Sequence, residues 1–393
     1  MIKTVRDINL NNKKVLIRCD FNVPIKDGVI TDDTRIVESL KTIQYVLSKN
    51  CKIILFSHLG RIKEVSDLAK NNLDKVAIRL QELLNKKVTF IPETRGKTLE
   101  KAIKEMDNGD IILVQNTRYE DLNGKKESSN NQELAKYWAS LGDVFINDAF
   151  GTIHRSHASN VGIASYLESA IGFLVEKELK ALQELNNPKR PYVVILGGAK
   201  VSDKIGVINN LINKADYILI GGGMSFTFLK AEGHEIGKSL LDSSHLEYCS
   251  NILKEYQDKL ILPITTSKEF SNDTPFTTKS INEIEKDDIG LDIGIETIKS
   301  FEQILSTAKT VVWNGPLGVC EMSNFKKGTL DILNYLAENN IKTIIGGGDT
   351  AAVISNNKSL KDKIYHISTG GGATLEYLEG KTLPGLKVLD KEA

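Results

Sequence analysis

The chain has 393 residues, 41% hydrophobic and 26% charged, and its 51 basic side chains balance 51 acidic ones. That length supports two or three cores, and zero net charge argues against a nucleic-acid backbone as the main partner. Four cysteines without CxxC pairing (Cys19, Cys51, Cys249, Cys320), no apolar run of ~18–20 residues and no hydrophobic signal region in MIKTVRDINLNNKK predict a reduced, cytoplasmic protein with no membrane partner.

Short apolar runs recur along the chain, each ending in polar or glycine-rich residues and followed by a helical pattern. In the first half, strands are expected at Val15–Ile17, Lys52–Phe56, Val88–Ile91, Ile111–Val114 and Val144–Ile146. Helices are expected at Arg35–Ser48, Leu73–Leu84 and Gln132–Leu141. In the second half, strands are expected at Tyr192–Leu196, Tyr217–Ile220, Leu260–Ile264, Thr310–Trp313, Thr343–Ile345 and Tyr365–Ser368. Alternation of this kind, with runs rich in Val, Ile and Leu, predicts parallel sheets covered on both faces. The fold class is therefore α/β, with two doubly wound parallel-sheet domains.

Between the halves, Ile171–Asn187 reads as one amphipathic helix. Leu174, Leu179, Leu182 and Leu185 recur at helical spacing, and Glu176 and Lys180 form an i,i+4 pair. Gly172 opens this helix, and Asn186, Asn187 and Pro188 close it. At 1.5 Å per residue it spans about 25 Å. The expected domains are residues 1–170, the helix at 171–187 and residues 188–379, with the tail 380–393 packing back on the first. Every arginine, Arg6 through Arg190, precedes Pro191, whereas the Gly-Gly pairs of LGGAK, IGGGM, IGGGD and STGGGA all follow it.

In open α/β sheets ligands sit beyond the carboxyl ends of the strands. In the first half those ends carry RCDFNVP (Arg18, Asp20, Asn22), SHLGR (His58, Arg61), QNTRYE (Arg118) and NDAFGTIHRSH (Asn147, Asp148, His154, Arg155, His157). Arg35 follows the acidic turn TDDT. A guanidinium meets a carboxylate or phosphate with a fork of fixed donors, so Arg35, Arg61, Arg118 and Arg155 together predict an anion site. Arg6, Arg79 and Arg95 read as surface or salt-bridged. His154 and His157 lack the glutamate and cysteine partners of a metal site and read as hydrogen-bonding or anion-contacting residues.

In the second half, ILGGAKVSDKI places Gly197, Gly198, Lys200 and Lys204 after a strand, with the two lysines expected on one helical face. IIGGGDTAAV repeats the arrangement with Gly346–Gly348, Asp349 and Thr350. Glycines let a backbone approach phosphate, helix N-termini favour anions, and a carboxylate beside phosphate suits Mg²⁺. A nucleotide phosphate site is the resulting expectation, although neither GxxxxGK[ST] nor GxGxxG occurs. A nicotinamide dehydrogenase and a non-catalytic binding protein closing on an anion stay open on these residues. The first lacks its usual GxGxxG, and the second leaves Lys200, Lys204 and Asp349 without a purpose.

In chain order, DFNVP, DDTRI, SHLGR, NDAFGTIHRSHAS, GGAKVSDKI, GGGMSFTFL, WNGPLG, GGGDTA and STGGGATLE make a set. In this set the chain closely resembles the phosphoglycerate kinase family over almost its whole length. The resemblance implies two Rossmann-like domains that close around 1,3-bisphosphoglycerate and ADP, giving 3-phosphoglycerate and ATP with Mg²⁺. It implies that the first domain, with the returning tail, binds phosphoglycerate through Asp20, Phe21, Asn22, Arg35, His58, Leu59, Gly60, Arg61, Arg118 and Arg155. It implies that the last domain binds nucleotide through Lys204, Gly294, Glu321, Gly347, Gly348, Asp349 and Thr350, with Asp349 on the metal. Arg35, Lys200, Lys204, Gly371 and Gly372 are then the catalytic set, the glycines belonging to the Gly370–Gly372 turn. A monomer is expected. Ile62, Gln115, Thr117, Ile295 and Glu296 depart from the family's usual residues, and the last two bear on nucleotide affinity or preference.

Overall fold

Most apolar runs of the first half are buried on both faces, the edge run Val88–Ile91 only in part, so they lie inside a covered sheet rather than at its surface. A computed structural model describes residues 2–256, 259–261, 266–267, 276–355 and 357–390. The first-half strands are β1 (Lys14–Arg18), β2 (Lys52–Phe56), β3 (Thr89–Ile91), β4 (Ile111–Val114), β5 (Val144–Asn147) and β6 (Glu168–Ile171). They form one parallel sheet in the order β3-β4-β2-β1-β5-β6. On one face Ile17, Leu55, Leu113 and Ile146 pack with Ile36, Ile43 and Leu80. Ile36 and Ile43 come from α1 (Thr34–Leu47), whose apolar residues fall on one stripe. On the fold's other side Trp138, from α2 (Gln132–Ser140), meets Phe56 edge to face and donates its indole N–H to Thr94 O at 2.8 Å.

The second half has the same construction. Its strands are β7 (Tyr192–Leu196), β8 (Tyr217–Ile220), β9 (Leu260–Ile261), β10 (Thr310–Asn314), β11 (Lys342–Gly346) and β12 (His366–Ile367). They run parallel in the order β9-β8-β7-β10-β11-β12, the doubly wound arrangement whose switch point lies between its first and fourth strands. Trp313, Ile345, Phe301 and Leu333 share its core. The expected strand Leu260–Ile264 is described only through Ile261; residues 262–264 lie outside the described residues, as do 391–393 of the tail.

Some elements differ from the expectations above. Ile171 is the last residue of β6, not the start of a helix, because Ser169, Ala170 and Ile171 complete the parallel sheet against β5. The helix itself, α3, runs Phe173–Gln183, and Glu184–Asn186 tightens into a 3₁₀ turn. Two-residue strands at Ile25–Lys26 and Val29–Ile30 form a hairpin whose turn residues, Asp27 and Gly28, both have positive φ. A small antiparallel sheet pairs Thr266–Ser267 with Phe276–Thr277 and Ile289–Gly290. Strands this short carry no readable period.

The chain divides into two compact units within α3, between Lys180 and Ala181. The first unit takes the chain back from Thr382 onward, where the Gly385 N–H donates to Ile153 O at 2.9 Å. The start of α3 is tied into that unit by Asp148. Its Oδ1 accepts the amides of Leu174 at 2.9 Å and Val175 at 3.3 Å. A Cβ at Gly172 would lie 2.2 Å from the same oxygen, so only glycine lets the chain turn there.

Burial pushes the Asp148 carboxyl up to about 7. Folded Asp148 then keeps its proton to near pH 7, whereas an unfolded aspartate releases it near ~3.9, so stability is lost as pH rises through that window. Asp148→Asn should abolish this slope: between pH 4 and 7 its thermal midpoint should gain several degrees on the wild type. A constant offset across that range would mean that Asp148 titrates normally.

Candidate active site

In the first unit the sheet order changes direction beside β1, so the loops leaving β1 and β5 part to form a crevice. Just past β1, Asp20 is buried and accepts from Arg35 Nη1 at 2.8 Å, which aims the half-exposed guanidinium. Asn22 Oδ1 accepts the Gly60 N–H at 2.8 Å, binding this loop to the one after β2. Gly60 has φ +59°, and a Cβ there would stand 2.2 Å from Asn71 Oδ1. Phe21 is wholly inside the core, and its N–H donates to Ser57 Oγ at 2.8 Å. Leu59 is also buried. Phe21 and Leu59 therefore present backbone, not side chains, to this region.

Asn116 holds the loop after β2. Its Oδ1 accepts from Leu59 N at 3.2 Å and Arg118 N at 3.0 Å, and its Nδ2 donates to Leu59 O at 2.7 Å and Asn71 O at 2.9 Å. Sequence reasoning missed this residue; the signal was a polar side chain two positions before Arg118 at a strand end. Gln115, one of the departures from the family pattern, is buried and accepts from Leu73 N and Asn116 N.

Arg61, Arg118 and Arg155 line one cleft of ≈ 1070 Å³ together with His154 and His157. Arg118 has a distant carboxylate partner, Asp121 at 3.9 Å, and its Nε is buried without a hydrogen bond. Arg35 is held separately, on Asp20. By contrast Arg6, Arg79 and Arg95 pair with Glu176, with Asp33 and Glu82, and with Glu120. The imidazoles around the cleft are neutral. Burial, then Arg18 and Arg118, hold His58 well below its usual range; burial and Arg118 lower His157 to about 3; burial and Arg155 lower His154 to about 4. The positive charge of the site therefore resides in guanidinium groups.

In the second unit the switch point of the sheet lies between β7 and β10, at the loops that follow them. These loops touch backbone to backbone: Gly197 N donates to Asn314 O and Gly198 N to Pro316 O, both at 3.0 Å. A Cβ on Gly197 would come within 2.0 Å of Pro316 O, so no other residue permits this approach. Lys200 and Lys204 do not share a helical face. Lys200 is extended and exposed, a 3₁₀ turn covers Val201–Asp203, and α4 (Ile205–Leu211) starts only after Lys204. Lys204 is buried, and its Nζ donates to Asn314 Oδ1, a partner the sequence did not reveal. Burial lowers its pKa, while Asp203, Asp349 and Glu379 oppose that shift.

Gly294 caps α5 (Ile295–Leu305), where Ile295 is exposed and Glu296 pairs with Lys299 at 3.3 Å. Glu321 is exposed in the turn after β10. Gly347, at φ +104°, turns the chain from β11 into α6 (Gly348–Ser355), with Asp349 exposed in its first turn. Beside it Thr350 is buried, and its Oγ1 has no partner. Gly371, at φ +52°, does the same for α7 (Gly372–Leu378). Among the described residues no three His, Cys, Asp or Glu side chains gather as a metal cage. A lone exposed carboxylate next to an unpaired hydroxyl fits an ion that arrives on phosphate oxygens, as Mg²⁺ does.

Two doubly wound sheets, one edged with guanidinium groups and the other with glycine turns and lysines, define an α/β protein built around anionic ligands. The chain belongs to the phosphoglycerate kinase family, whose sequence profile matches residues 5–381. It is 60% identical to a phosphoglycerate kinase of Listeria monocytogenes over 388 residues, 98% of each chain. It is 57% identical to that of Fusobacterium nucleatum over the whole of both chains. Among solved structures it is similar to phosphoglycerate kinase from Coxiella burnetii, with TM-score 0.89 and 38% identity over 100% of both chains. It is also similar to that from Pyrococcus horikoshii, with TM-score 0.84 and 31% identity over 99% and 98%.

Asn116→Ala would leave two loops and the Arg118 turn without their common tether. The variant should lose about 2–4 kcal/mol of stability in urea unfolding, since several buried groups lose their partners together. A loss under ~0.5 kcal/mol would show that the loops hold themselves.

Proposed function

We propose that this chain carries out its family's reaction with the residues of the two crevices in distinct roles. That reaction is the reversible transfer of the acyl phosphate of 1,3-bisphosphoglycerate to ADP, giving 3-phosphoglycerate and ATP in glycolysis. Residues 1–170 and the tail form the phosphoglycerate-binding domain, where Arg61, Arg118 and Arg155 meet the anionic ends of the acid. Asp20, Asn22 and His58 complete that site as side chains, and Phe21, Leu59 and Gly60 as backbone. Residues 188–379 form the nucleotide-binding domain, with Lys204, Gly294, Glu321 and Gly347–Thr350 around the nucleotide. Asp349 holds Mg²⁺, which screens the nucleotide phosphates when bound.

The chemistry requires little proton transfer. The attacking and leaving groups are a carboxylate and a phosphate, both ionised at neutral pH. What remains is to align two polyanions and neutralise charge on the group in flight. Arg35, aimed by Asp20, and Lys200, extended and exposed, do so with Lys204 and the Gly371–Gly372 turn. The observation that carries this reading is the division of donors: guanidinium groups at one sheet's carboxyl edge, lysines and close-approach glycines at the other's.

An acyl phosphate is also prone to hydrolysis, so water has to be excluded while transfer occurs. Closure of the two domains, with bending at the ends of residues 171–187 and in the segment 380–385, meets that need. The protein acts as a cytoplasmic monomer on small-molecule substrates, with neither nucleic acid nor membrane as partner. Among the described residues no helix is long and apolar enough to cross a membrane.

Arg35→Ala and Lys200→Ala should each cut turnover by about 10²–10³ or more, the usual loss when one preorganised charge leaves a transition state. ATP consumption should depend strictly on both 3-phosphoglycerate and Mg²⁺. Near-normal turnover in either variant would remove that residue from the catalytic set, and consumption independent of the acid would sink the assignment. Cross-links that stiffen either end of the 171–187 segment should slow turnover more than they weaken either substrate alone; equal losses would argue against closure.

A further inference from the structure

One buried chain of polar groups in the first unit is not used by the reading above. Arg18 is fully buried, yet among the described residues no carboxylate touches it. Its Nε donates to Ser159 Oγ at 2.8 Å, its Nη1 to Cys19 O, and its Nη2 faces His58 Nδ1 at 3.3 Å. Ser159 passes the interaction on: its hydroxyl donates to Glu127 Oε1, and its amide to Glu127 Oε2 at 2.9 Å. Glu127 is also fully buried, and its backbone carbonyl accepts from Ala158 N at 2.9 Å. Ser159 and Glu127 thus lie between the cleft-lining His157 and the strand end that carries Arg18.

With Glu127 as the carboxylate, the proton count along this chain has one solution. Guanidinium only donates, so the ring nitrogen it meets must be an acceptor. His58 Nδ1 therefore carries no proton, and the neutral ring carries its proton on Nε2. No protein acceptor meets Nε2 among the described residues. A serine hydroxyl has a single proton, and here it points to Glu127, which leaves its oxygen free to accept from Arg18. With Glu127 ionised, reversing any link places two donors or two acceptors face to face. The charged and titratable groups around His58 are Arg18, Arg118, Arg35 and His157, all of which disfavour an imidazolium.

We propose that Glu127 and Ser159 are positioning residues which, through Arg18, hold His58 as a neutral Nε2–H donor for the anionic substrate. Glu127 supplies the charge that keeps a buried guanidinium tolerable, and Ser159 fixes its orientation. Arg18 in turn selects the His58 tautomer. This rests on the assignment of His58 to the phosphoglycerate site.

Long-range ¹H–¹⁵N spectra of the labelled full chain test it directly. In the wild type His58 should show a protonated Nε2 and a bare Nδ1 throughout pH 5–8, without titration. Ser159→Ala should mix the tautomers and raise KM for 3-phosphoglycerate by about tenfold, the worth of one charge-assisted hydrogen bond, with KM for ATP unchanged. Glu127→Gln should move both readouts the same way. A protonated Nδ1 or a titrating ring in the wild type overturns the relay, even if neither variant folds. So does a Ser159→Ala protein with wild-type tautomer and KM. Adding 3-phosphoglycerate to the wild type should shift the Nε2 signal. The correct tautomer with an unmoved signal would instead overturn the placement of His58 in the substrate site.

Discussion

Like charges have to be held together here before any ligand arrives. Two guanidinium groups ~7 Å apart repel by about 2 kcal/mol at an effective dielectric of 20, and the cleft of the first unit gathers three, with Arg18 and Arg35 close by. The structure meets this in three ways. Asp20 sits under Arg35, Asp121 stands off Arg118, and Glu127 lies behind Arg18 through Ser159. The three imidazoles are kept neutral, so they add donors and acceptors without adding charge. The remaining excess is left uncompensated, as the orphaned Arg118 Nε illustrates. A site fully paired in its empty state would have to break those pairs before binding.

The second unit solves a different problem by a different route. The carboxyl edge of its sheet is built largely of glycine turns, so what matters is how closely backbones approach. Gly197 and Gly315 allow the loops after β7 and β10 to touch; a Cβ on Gly315 would lie 2.3 Å from Gly197 O. That contact brings Asn314 under Lys204 and buries Gly197 and Gly315, with the Gly197 and Gly198 amides spent on the facing loop. The same parallel register that aligns β7 with β10, Leu196 opposite Asn314, thereby determines where a side-chain cation meets the Gly turns. Sheet topology, loop glycines and the buried lysine are consequences of one arrangement.

Much of this was legible from residues alone. Strands such as Lys52–Phe56 and Tyr192–Leu196 were readable to the residue because doubly buried strands are continuous apolar runs with polar ends. The strand-end arginines were readable for the same reason. What escaped was set by tertiary contact. Ser169–Ile171 joins a sheet although it abuts a helical pattern, because a parallel neighbour, β5, offers it hydrogen bonds. Lys200 and Lys204 fit helical spacing, yet the backbone takes a 3₁₀ turn there as the glycine loop docks on Pro316. Asn116, Asn314, Ser159 and Glu127 look like ordinary polar residues until the partners they tether are brought near. Phe21 and Leu59 lie within site motifs, but their side chains belong to the core.

Lys204 illustrates why a site with no acid–base dyad can still be poised. An ammonium has three donors, and among the described residues it has one side-chain acceptor, Asn314, in a position where water is largely excluded. Burial favours the neutral amine, and three carboxylates, Asp203, Asp349 and Glu379, pull the other way. Burial prevails, so a charge on this amine is under-compensated. An anionic oxygen arriving beside it supplies both a missing acceptor and the opposite charge, so binding favours the ammonium as much as the ammonium favours binding. The same logic governs Thr350, whose buried Oγ1 is a polar atom without a partner at the mouth of α6. Unsatisfied groups would be faults in a structural core; at the carboxyl edge of a parallel sheet they mark where phosphate oxygens are expected to complete the hydrogen bonding.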